Sequence, residues 1–251
     1  MIDLHCHILP QLDDGPDTLI ESLMMAEEAA AQGISRILCT PHHNIGKYWN
    51  PKNKVIMAVA EFQKILDENK ILITLYEGQE VRISGNLYDQ VQKNQLLFID
   101  EGNKYLLIEF PTETIPVYTK KLFMNLINHG IRPIIVHPER NEYFANHLDQ
   151  LADLTEIGAL SQMTAPSYLG NFGSQVKLNA QKMIELGLIQ LIGSDGHSIN
   201  QRKVRLAEVY SELAKDYSPD FVEELKNNAE TIFDGGDIKR KVHLKGTEPL
   251  K

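Results

Sequence analysis

The stretch GIRPIIVHPER, residues 130–140, decides how the rest of the chain is interpreted. Gly130 follows a segment of helical periodicity, Val117–His129, at a position where helices commonly end. Pro133–His137 is a short β-rich apolar run, which predicts a buried strand. That run ends in the polar residues His137-Pro138-Glu139-Arg140. The order of helix, glycine, strand and polar strand end is that of one βα unit.

The same order recurs from one end of the chain to the other, with strand starts separated by about 30 residues, the length of one such unit. Thr18–Gln32 is the clearest helix, because Thr18 and Glu21 have capping-box spacing and Gly33 follows. Lys177–Leu186 followed by Gly187 repeats the pattern. With the strand above, the predicted strands are Ile2–His7, Arg36–Thr40, Ile71–Glu77, Tyr105–Glu109, Ala159–Gln162 and Ile189–Ser194.

Seven units without a linker predict one α/β domain, residues 1–238, followed by a basic tail, Lys239–Lys251. Its parallel sheet is either closed as a barrel or doubly wound. The chain has 251 residues and a net charge of −9, with 43% hydrophobic and 24% charged residues. This composition excludes a disordered chain and argues against a general nucleic-acid binder.

The N-terminus lacks a basic and apolar leader, and no apolar run approaches the roughly 20 residues that span a bilayer. We therefore expect a soluble cytoplasmic protein without membrane insertion. Cys6 and Cys39 are too few for a disulfide framework or a zinc site of cysteines alone. Leu12 and Ile45 stand where a Cys-x5-Arg phosphatase would need arginine, so a cysteine nucleophile of that kind is excluded.

Polar residues capable of metal binding occupy six of the seven predicted strand ends. In α/β barrels the active site is assembled at that end of the strands. Residues i and i+2 of a strand point to the same side, so His5 and His7 can converge on one ion, and Asp195 and His197 repeat this spacing. Imidazoles and carboxylates suit Zn²⁺, Mn²⁺ or Fe²⁺. The candidate ligands are His5, His7, Asp14, His42, Glu80, Glu109, His137, Asp195 and His197.

This set is large enough for two or three ions, an arrangement suited to hydrolysing phosphate esters. Any one of these residues alone has a structural explanation, and only the combination predicts a metal cluster. Other polar residues receive plainer interpretations. Asp3 is expected to support the site or the fold, and His43 to border the cleft. His129, His147 and His243 are expected to be structural or solvated.

At this point the residues resemble a known family. His5-Cys6-His7-Ile8-Leu9-Pro10 with Asp13-Asp14-Gly15-Pro16 resembles the opening of bacterial tyrosine-protein phosphatases from capsule and exopolysaccharide operons, the CpsB/YwqE family of the polymerase-and-histidinol-phosphatase (PHP) superfamily. Further motifs follow in the same order over almost the whole chain: Thr40–His43, Gly78–Glu80, Gly130–Pro133, His137–Arg140, Met163–Gly173 and Gly193–His197.

The resemblance implies a distorted barrel of seven βα units, similar to a TIM barrel, with three metal ions that are usually manganese. One ion would take His5, His7, Glu80 and Asp195. A second would take Glu80 as a bridge, Glu109 and His137, and a third Asp14, His42 and His197. Two arginines would hold the phosphate. Arg140 matches the first of these, and Arg202 fits the second better than its rival Arg205.

The resemblance also implies a metal-dependent protein-tyrosine phosphatase that regulates capsular or exopolysaccharide synthesis. Its partner would be the phosphorylated tyrosine-rich tail of a bacterial tyrosine kinase, which would recruit the enzyme to the inner membrane face. Apart from the resemblance, Tyr48, Trp49 and Tyr168 lie in predicted loops, where they either flank an aromatic phosphoester or, as is more common, anchor the loops as half-buried side chains. The alternatives are a small-molecule phosphomonoesterase such as histidinol phosphatase, and a non-catalytic PHP module stabilised by metal. The sequence leaves the oligomeric state open.

Overall fold

The computed structural model describes residues 1–238; the predicted tail Lys239–Lys251, with His243, lies outside the described residues. One or two strands are followed by one or more helices throughout the described chain, close to the alternation that the sequence predicts. The strands are β1 Ile2–Cys6, β2 Arg36–Cys39, β3 His42–His43, β4 Thr74–Glu77, β5 Glu80–Arg82, β6 Tyr105–Glu109, β7 Arg132–Val136, β8 Leu160–Thr164 and β9 Leu191–Gly193.

The helices carry the apolar residues that cover the strands. They are α1 Leu19–Ala31, α2 Lys52–Glu68, α3 Leu87–Gln92, α4 Thr119–Asn128, α5 Glu142–Asn146, α6 Leu148–Glu156, α7 Ala165–Tyr168, α8 Ser174–Glu185, α9 Leu206–Asp216 and α10 Pro219–Phe233, with a 3₁₀ turn at Pro138–Arg140. The predicted cap of α1 is confirmed, because the Thr18 side chain accepts a hydrogen bond from the backbone N–H of Glu21. Within residues 1–238, no helix combines the length and the apolar character needed to cross a membrane.

All the strand pairings are parallel, and they form two sheets, in the orders β1-β2-β4 and β3-β5-β6-β7-β8-β9. The sheets continue into one another, since the Gly78 N–H donates to the Cys39 carbonyl at 2.9 Å and the Glu80 N–H to the Pro41 carbonyl at 3.3 Å. Two predicted strands, Arg36–Thr40 and Ile71–Glu77, are each followed by a short strand that was not predicted, β3 and β5. The result is a curled parallel sheet with helices packed against it.

The far edge of the curled sheet approaches its first strand. The Asp195 N–H donates to the His5 carbonyl at 2.8 Å, and the His7 N–H donates to the Gly196 carbonyl at 2.9 Å. These bonds connect β1 to the segment that follows β9. They bring together the first and last candidate ligands of the chain, which are about 190 residues apart in sequence.

The apolar residues form two clusters, one on each side of the sheet. The larger lies between the strands and the surrounding helices. The smaller, called the inner cluster here, contains Tyr105 and Leu107 of β6 together with Ile232 of α10. Because strand residues alternate in direction, Glu109 lies on the same side of β6 as Tyr105 and Leu107. The strands therefore carry apolar residues along the inner cluster and ligand-type residues at their carboxyl ends.

Candidate active site and metal centre

A cavity of about 370 Å³ opens at the carboxyl ends of the strands, where the sequence predicts the site. It is lined by six of the predicted residues, namely Asp14, His42, Glu109, His137, Arg140 and Arg202. The other predicted ligands, His5, His7, Glu80, Asp195 and His197, lie beneath them and are almost fully buried. All eleven predicted residues therefore meet in one place.

The deepest group consists of His5, His7, Glu80 and Asp195, whose ligand atoms all lie within 4.8 Å of one another. Oε2 of Glu80 is 3.4 Å from Nε2 of His5 and 3.2 Å from Nε2 of His7. Oδ1 of Asp195 is 3.5 Å from each of the same two nitrogens. Two imidazoles and two carboxylates facing one point form a suitable cage for a divalent ion. The composition matches the first predicted ligand set.

A second group contains the predicted third set, Asp14, His42 and His197, and adds His7. Oδ1 of Asp14 lies 3.3 Å from Nε2 of His42 and 3.6 Å from Nε2 of His197. The rings of His7 and His197 stack with their centres 3.7 Å apart. His7 therefore stands between the first and second groups.

The third group, His42, Glu80 and Glu109, differs by one residue from the predicted set of Glu80, Glu109 and His137. His137 instead directs Nε2 to Oε1 of Glu80 at 2.7 Å. His42 Nδ1 takes the place near the carboxylates, 2.9 Å from Oε2 of Glu80 and 3.7 Å from Oε2 of Glu109. Glu80 therefore contacts residues of every group through its two oxygens.

Polar atoms left without partners show that a cation fits this cluster. Oε2 of Glu80, Oε2 of Glu109, Oδ1 of Asp195 and Nε2 of His197 are buried without a hydrogen-bond partner in the described part of the chain. Burying such atoms without compensation is costly, and groups of this kind are normally paired or bound to metal. The donor set of imidazole nitrogens and carboxylate oxygens suits divalent zinc, manganese or iron.

Three side chains of the cluster have strongly shifted pKa values. Burial favours neutral His7, but the Asp13 carboxylate outweighs it and raises the pKa of His7 to about 9. Burial and the nearby Glu80 charge raise the pKa of Glu109 to about 7. Burial and the Arg140 charge lower the pKa of His137 to about 3, so this imidazole is neutral at physiological pH. Shifts of this size are typical of functional sites.

Two ligand candidates occupy strained backbone conformations. His137 has φ 37° and Asp195 has φ 51°, in the left-handed region that non-glycine residues rarely adopt. His137 is the first residue after β7, and Asp195 is the second residue after β9. At both positions the strained backbone turns the chain and directs the side chain into the site. Non-glycine residues in this region are concentrated where the surrounding structure holds a functional geometry.

Sequence reasoning missed two residues that orient the histidines. Asp13 Oδ2 lies 2.6 Å from Nδ1 of His7 and also accepts the His42 N–H at 2.8 Å. Gln162 accepts a hydrogen bond from Nδ1 of His5 at 2.7 Å. Such partners fix which ring nitrogen faces a metal. Gln162 lies on β8, the one predicted strand whose end carries no His, Glu or Asp. Asp13 was overlooked because its neighbour Asp14 was chosen as the metal ligand.

The two predicted arginines converge on Asp195. Arg140 and Arg202 each direct one guanidinium nitrogen to Oδ2 of Asp195, at 2.8 Å and 2.7 Å. Arg205 turns away to Oδ1 of Asn171 at 2.6 Å and Oε2 of Glu208 at 2.7 Å, so this rival lies outside the cavity. Sequence reasoning also missed Arg82, which lines the same cavity beside Glu109.

The three aromatic candidates have different positions. Tyr48 lines the cavity and stacks on His42 with 6.0 Å between ring centres. Trp49 is exposed and packs on the buried His43, and neither residue is among those that line the cavity. Tyr168 is wrong as a substrate-flanking residue: it is buried in the larger core cluster, and its hydroxyl donates to Asp216 at 2.5 Å. Asp3, as expected, is structural, since it accepts the backbone N–H groups of His5 and Ser194.

Comparison with known proteins agrees with this geometry. A family model described as capsular polysaccharide synthesis, CpsB/CapC, matches residues 1–234. The tyrosine-protein phosphatase YwqE of Bacillus subtilis is 39% identical over 96% of this chain and 94% of its own length. The putative tyrosine-protein phosphatase CapC of Staphylococcus aureus is also 39% identical, over 90% of this chain and 89% of its own.

Among solved structures, one matches over the full length with a TM-score of 0.93 and 38% identity, covering 99% of this chain and 100% of the other. It comes from the pair YwqE of Bacillus subtilis and CpsB of Streptococcus pneumoniae, which are described as unique metal-dependent tyrosine phosphatases.

Proposed function

The chain belongs to the CpsB/CapC family of capsular polysaccharide synthesis, and from this premise we propose that it is a metal-dependent protein-tyrosine phosphatase. The observation that carries the proposal is the convergence of three ligand groups and two arginines on one cavity. The curated relatives named above as tyrosine-protein phosphatases support it. A structural module without catalysis would have no need of arginines that face the cavity beside the ligands.

We propose that the site binds three divalent ions. The proposed metal is manganese, and iron and zinc are the alternatives. His5, His7, Glu80 and Asp195 would hold one ion, and Asp14, His42 and His197 another. Glu80 and Glu109 would hold the remaining ion with His137, which has its Nε2 beside Glu80, or with His42. The ions supply Lewis acidity and a nucleophile derived from water at neutral pH.

The protein's own residues would bind and orient the phosphoryl group. Arg140 is fixed from two sides, by Asp195 and by the ring of Phe172, whose centre lies 5.0 Å from the guanidinium carbon. Arg202 shares Oδ2 of Asp195. Planar guanidinium groups held in this way are suited to bind phosphate oxygens in pairs and to neutralise the charge that develops during hydrolysis.

The walls of the cavity suit an aromatic leaving group. Tyr48, Phe110 and Phe144 line it together with Thr112 and Asn141. A phenolate leaving group has a conjugate-acid pKa of about 10 and needs less proton donation than an alkoxide. In the proposed reaction the phosphotyrosine side chain enters between these residues, and no side chain of the protein forms a phosphoenzyme. The buried thiols of Cys6 and Cys39 have raised pKa values, because burial disfavours their thiolates, and take no part.

We further propose that residues 1–238 are one catalytic domain, a distorted barrel of seven βα units. The main-chain bonds between β1 and the segment after β9 support closure of the sheet. The proposed substrate is the phosphorylated tyrosine-rich tail of a bacterial tyrosine kinase. The enzyme would act in the cytoplasm and reach the inner membrane face through that kinase.

A rate panel on the manganese-loaded protein tests the function. Its substrates are a phosphotyrosine peptide, histidinol phosphate and a nucleotide monophosphate, with metal content measured on the same sample. We expect the highest kcat/KM for the phosphotyrosine peptide. A clear preference for histidinol phosphate would replace the proposal with a small-molecule phosphatase. Full metal occupancy without hydrolysis of any ester would leave a non-catalytic module.

A further inference from the structure

Arg82 is a third arginine of the cavity, and neither the ligand groups nor the arginine pair at Asp195 accounts for it. It is the last residue of β5, two positions after Glu80, so both side chains leave the strand on the same side. Across the sheet it is paired with Glu109 of β6. Its side chain is 20% exposed, and Arg82 is one of the residues that line the cavity.

The contacts of Arg82 are sparse for a half-buried cation. Nε lies 3.3 Å from Oε2 of Glu109. That nitrogen is buried and has no hydrogen-bond partner among the described residues. Among the described residues, Nε of Arg140 and Nε of Arg202 also lack a partner, but each of these guanidinium groups contacts Oδ2 of Asp195 through Nη2. Within residues 1–238, the Arg82 guanidinium therefore has no acidic or hydrogen-bonding partner except Glu109.

The Arg82 charge helps to keep Glu109 ionised, but a divalent ion bound at Glu109 would have the same effect. A guanidinium beside Glu109 attracts the carboxylate that a divalent ion would need and repels the ion itself. An arginine in such a place becomes favourable when an anion is also bound, because the anion screens the cation from the metal and occupies its free donors. Arginine is the residue best suited to hold a two-oxygen anion in one plane.

We propose that Arg82 binds an oxyanion of the substrate from the Glu109 side of the cavity, while Arg140 and Arg202 bind from the Asp195 side. The inference rests on the proposed function in that the oxyanion is carried by a phosphoester. Two parts of a phosphotyrosine peptide offer this chemistry, the phosphoryl group itself and a carboxylate of a neighbouring acidic residue. Arg82 is then a specificity-determining residue of the site.

The test uses Arg82→Met, which keeps the apolar stem and removes the charge, and Arg82→Lys, which keeps the charge and removes the planar fork. Arg132→Met is the matched control: Arg132 is 22% exposed at the start of β7, where it pairs with Asp237 outside the cavity. Each protein is loaded with manganese and its metal content is measured. Binding of inorganic phosphate is then followed by calorimetry, which needs no turnover.

Hydrolysis is measured on para-nitrophenyl phosphate, on a phosphotyrosine peptide with alanine neighbours and on one with acidic neighbours. If Arg82 holds the phosphoryl group, Arg82→Met keeps its metal, binds phosphate at least 10-fold more weakly and loses activity on all three substrates. If it holds a neighbouring carboxylate, only the acidic peptide is affected, through KM. In either case Arg82→Lys retains part of the function and Arg132→Met all of it.

The proposal is overturned if Arg82→Met loses metal and excess manganese restores its activity, because Arg82 would then only position Glu109. It is also overturned if phosphate binding and all three rates stay at the wild-type values. Absence of hydrolysis by the wild-type protein would instead refute the phosphatase function, and the calorimetry would still test phosphate binding by Arg82.

Discussion

Asp195 shows how single residues combine two roles in this site. Its Oδ1 faces His5 and His7, while its Oδ2 accepts from Arg140 and Arg202. The side chain is almost fully buried, and the arginine charges help to hold its pKa far below the usual range despite the burial that opposes ionisation. The ligand groups and the arginines are therefore coupled through one carboxylate, so removing an arginine has to be separated experimentally from removing metal.

The first prediction concerns Arg140. Arg140→Ala should lower kcat/KM on a phosphotyrosine peptide by roughly 10²- to 10³-fold, the usual loss when one donor to a developing oxyanion is removed. Metal content should stay intact, because Arg202 still neutralises Oδ2 of Asp195. Arg205→Ala is the control, since Arg205 pairs with Glu208 outside the cavity, and it should keep near wild-type rates. Loss of metal in Arg140→Ala would contradict the phosphate-binding role.

The second prediction concerns Asp13, which contacts His7 and not the candidate metal position. Asp13→Asn removes the charge that orients His7 through Nδ1 at 2.6 Å. Loss of such a supporting carboxylate usually weakens metal affinity by about 10- to 100-fold. We expect this loss in a competition titration with a chelator. Asp17→Asn, four residues later on the exposed surface, should leave the affinity unchanged, and equal affinities in both variants would refute the orienting role.

The residues that the sequence predicted and those it missed differ in how they act. His5 and His7 were predictable because an i, i+2 pair at a strand end converges without knowledge of the neighbouring strands. Asp195 and His197 have the same spacing, but both follow the end of β9, and Asp195 enters the site from a left-handed backbone conformation. Asp13 and Gln162 orient a histidine, and Arg82 lies beside Glu109 of the neighbouring strand. Their partners depend on strand order and register, which one sequence without those contacts does not reveal.

At the scale of elements, the packing of β9 requires a residue without a side chain at its last position, Gly193. A Cβ on Gly193 would lie 2.6 Å from Cβ of His5 and 3.0 Å from Oε1 of Gln162. The adjacent strands β1 and β8 therefore approach closely at the level where His5 enters the site. The bare backbone at Gly193 allows His5 to stand between β9 and Gln162.

The third prediction follows from that contact. Gly193→Ala should displace His5 and lower the free energy of unfolding by about 1–3 kcal/mol, the usual cost of overpacking. Metal affinity should fall with it, because His5 belongs to the deepest ligand group. Gly85→Ala is the control, since a Cβ there meets no atom within 4 Å. Denaturant unfolding and metal titration of both variants test this, and unchanged metal binding in Gly193→Ala would contradict it.

The elements themselves were predicted well where apolar periodicity is long, and less well where the sheet bends. The seven predicted strand regions all contain strands, and the helix capped by Thr18 begins where its motif indicates. The sequence did not show that two strands divide, at Thr40-Pro41 and at Gly78-Gln79. Each division lies where the chain passes from the sheet β1-β2-β4 to the sheet that begins with β3-β5. Short apolar runs contain no information on which strands pair.

For the whole molecule, the same cluster links metal, protons and stability. In metal-free protein, Asp13 raises the pKa of His7 to about 9 against the effect of burial. Burial likewise opposes the charge on His42, but Glu80 and Asp14 raise its pKa to about 11. An unfolded histidine has a pKa of about 6.5. Between pH 7 and 9, therefore, the folded metal-free chain retains protons that the unfolded chain has already lost.

The fourth prediction is that metal stabilises the fold more strongly as pH rises from 7 to 9. Raised histidine pKa values stabilise the metal-free fold fully below pH 6.5, and this stabilisation is lost as pH rises through the folded values, at about 1.4 kcal/mol per pH unit for each retained proton. Metal-bound imidazoles carry no such proton, so the metal-loaded protein does not lose this stabilisation as pH rises.

The Tm gap between manganese-loaded and chelator-treated protein should therefore widen from pH 7 to pH 9. Calorimetry in two buffers of different ionisation enthalpy should also detect protons released on metal binding. A constant Tm gap with no proton release would contradict the prediction, because it would show that His7 and His42 do not lose protons when metal binds.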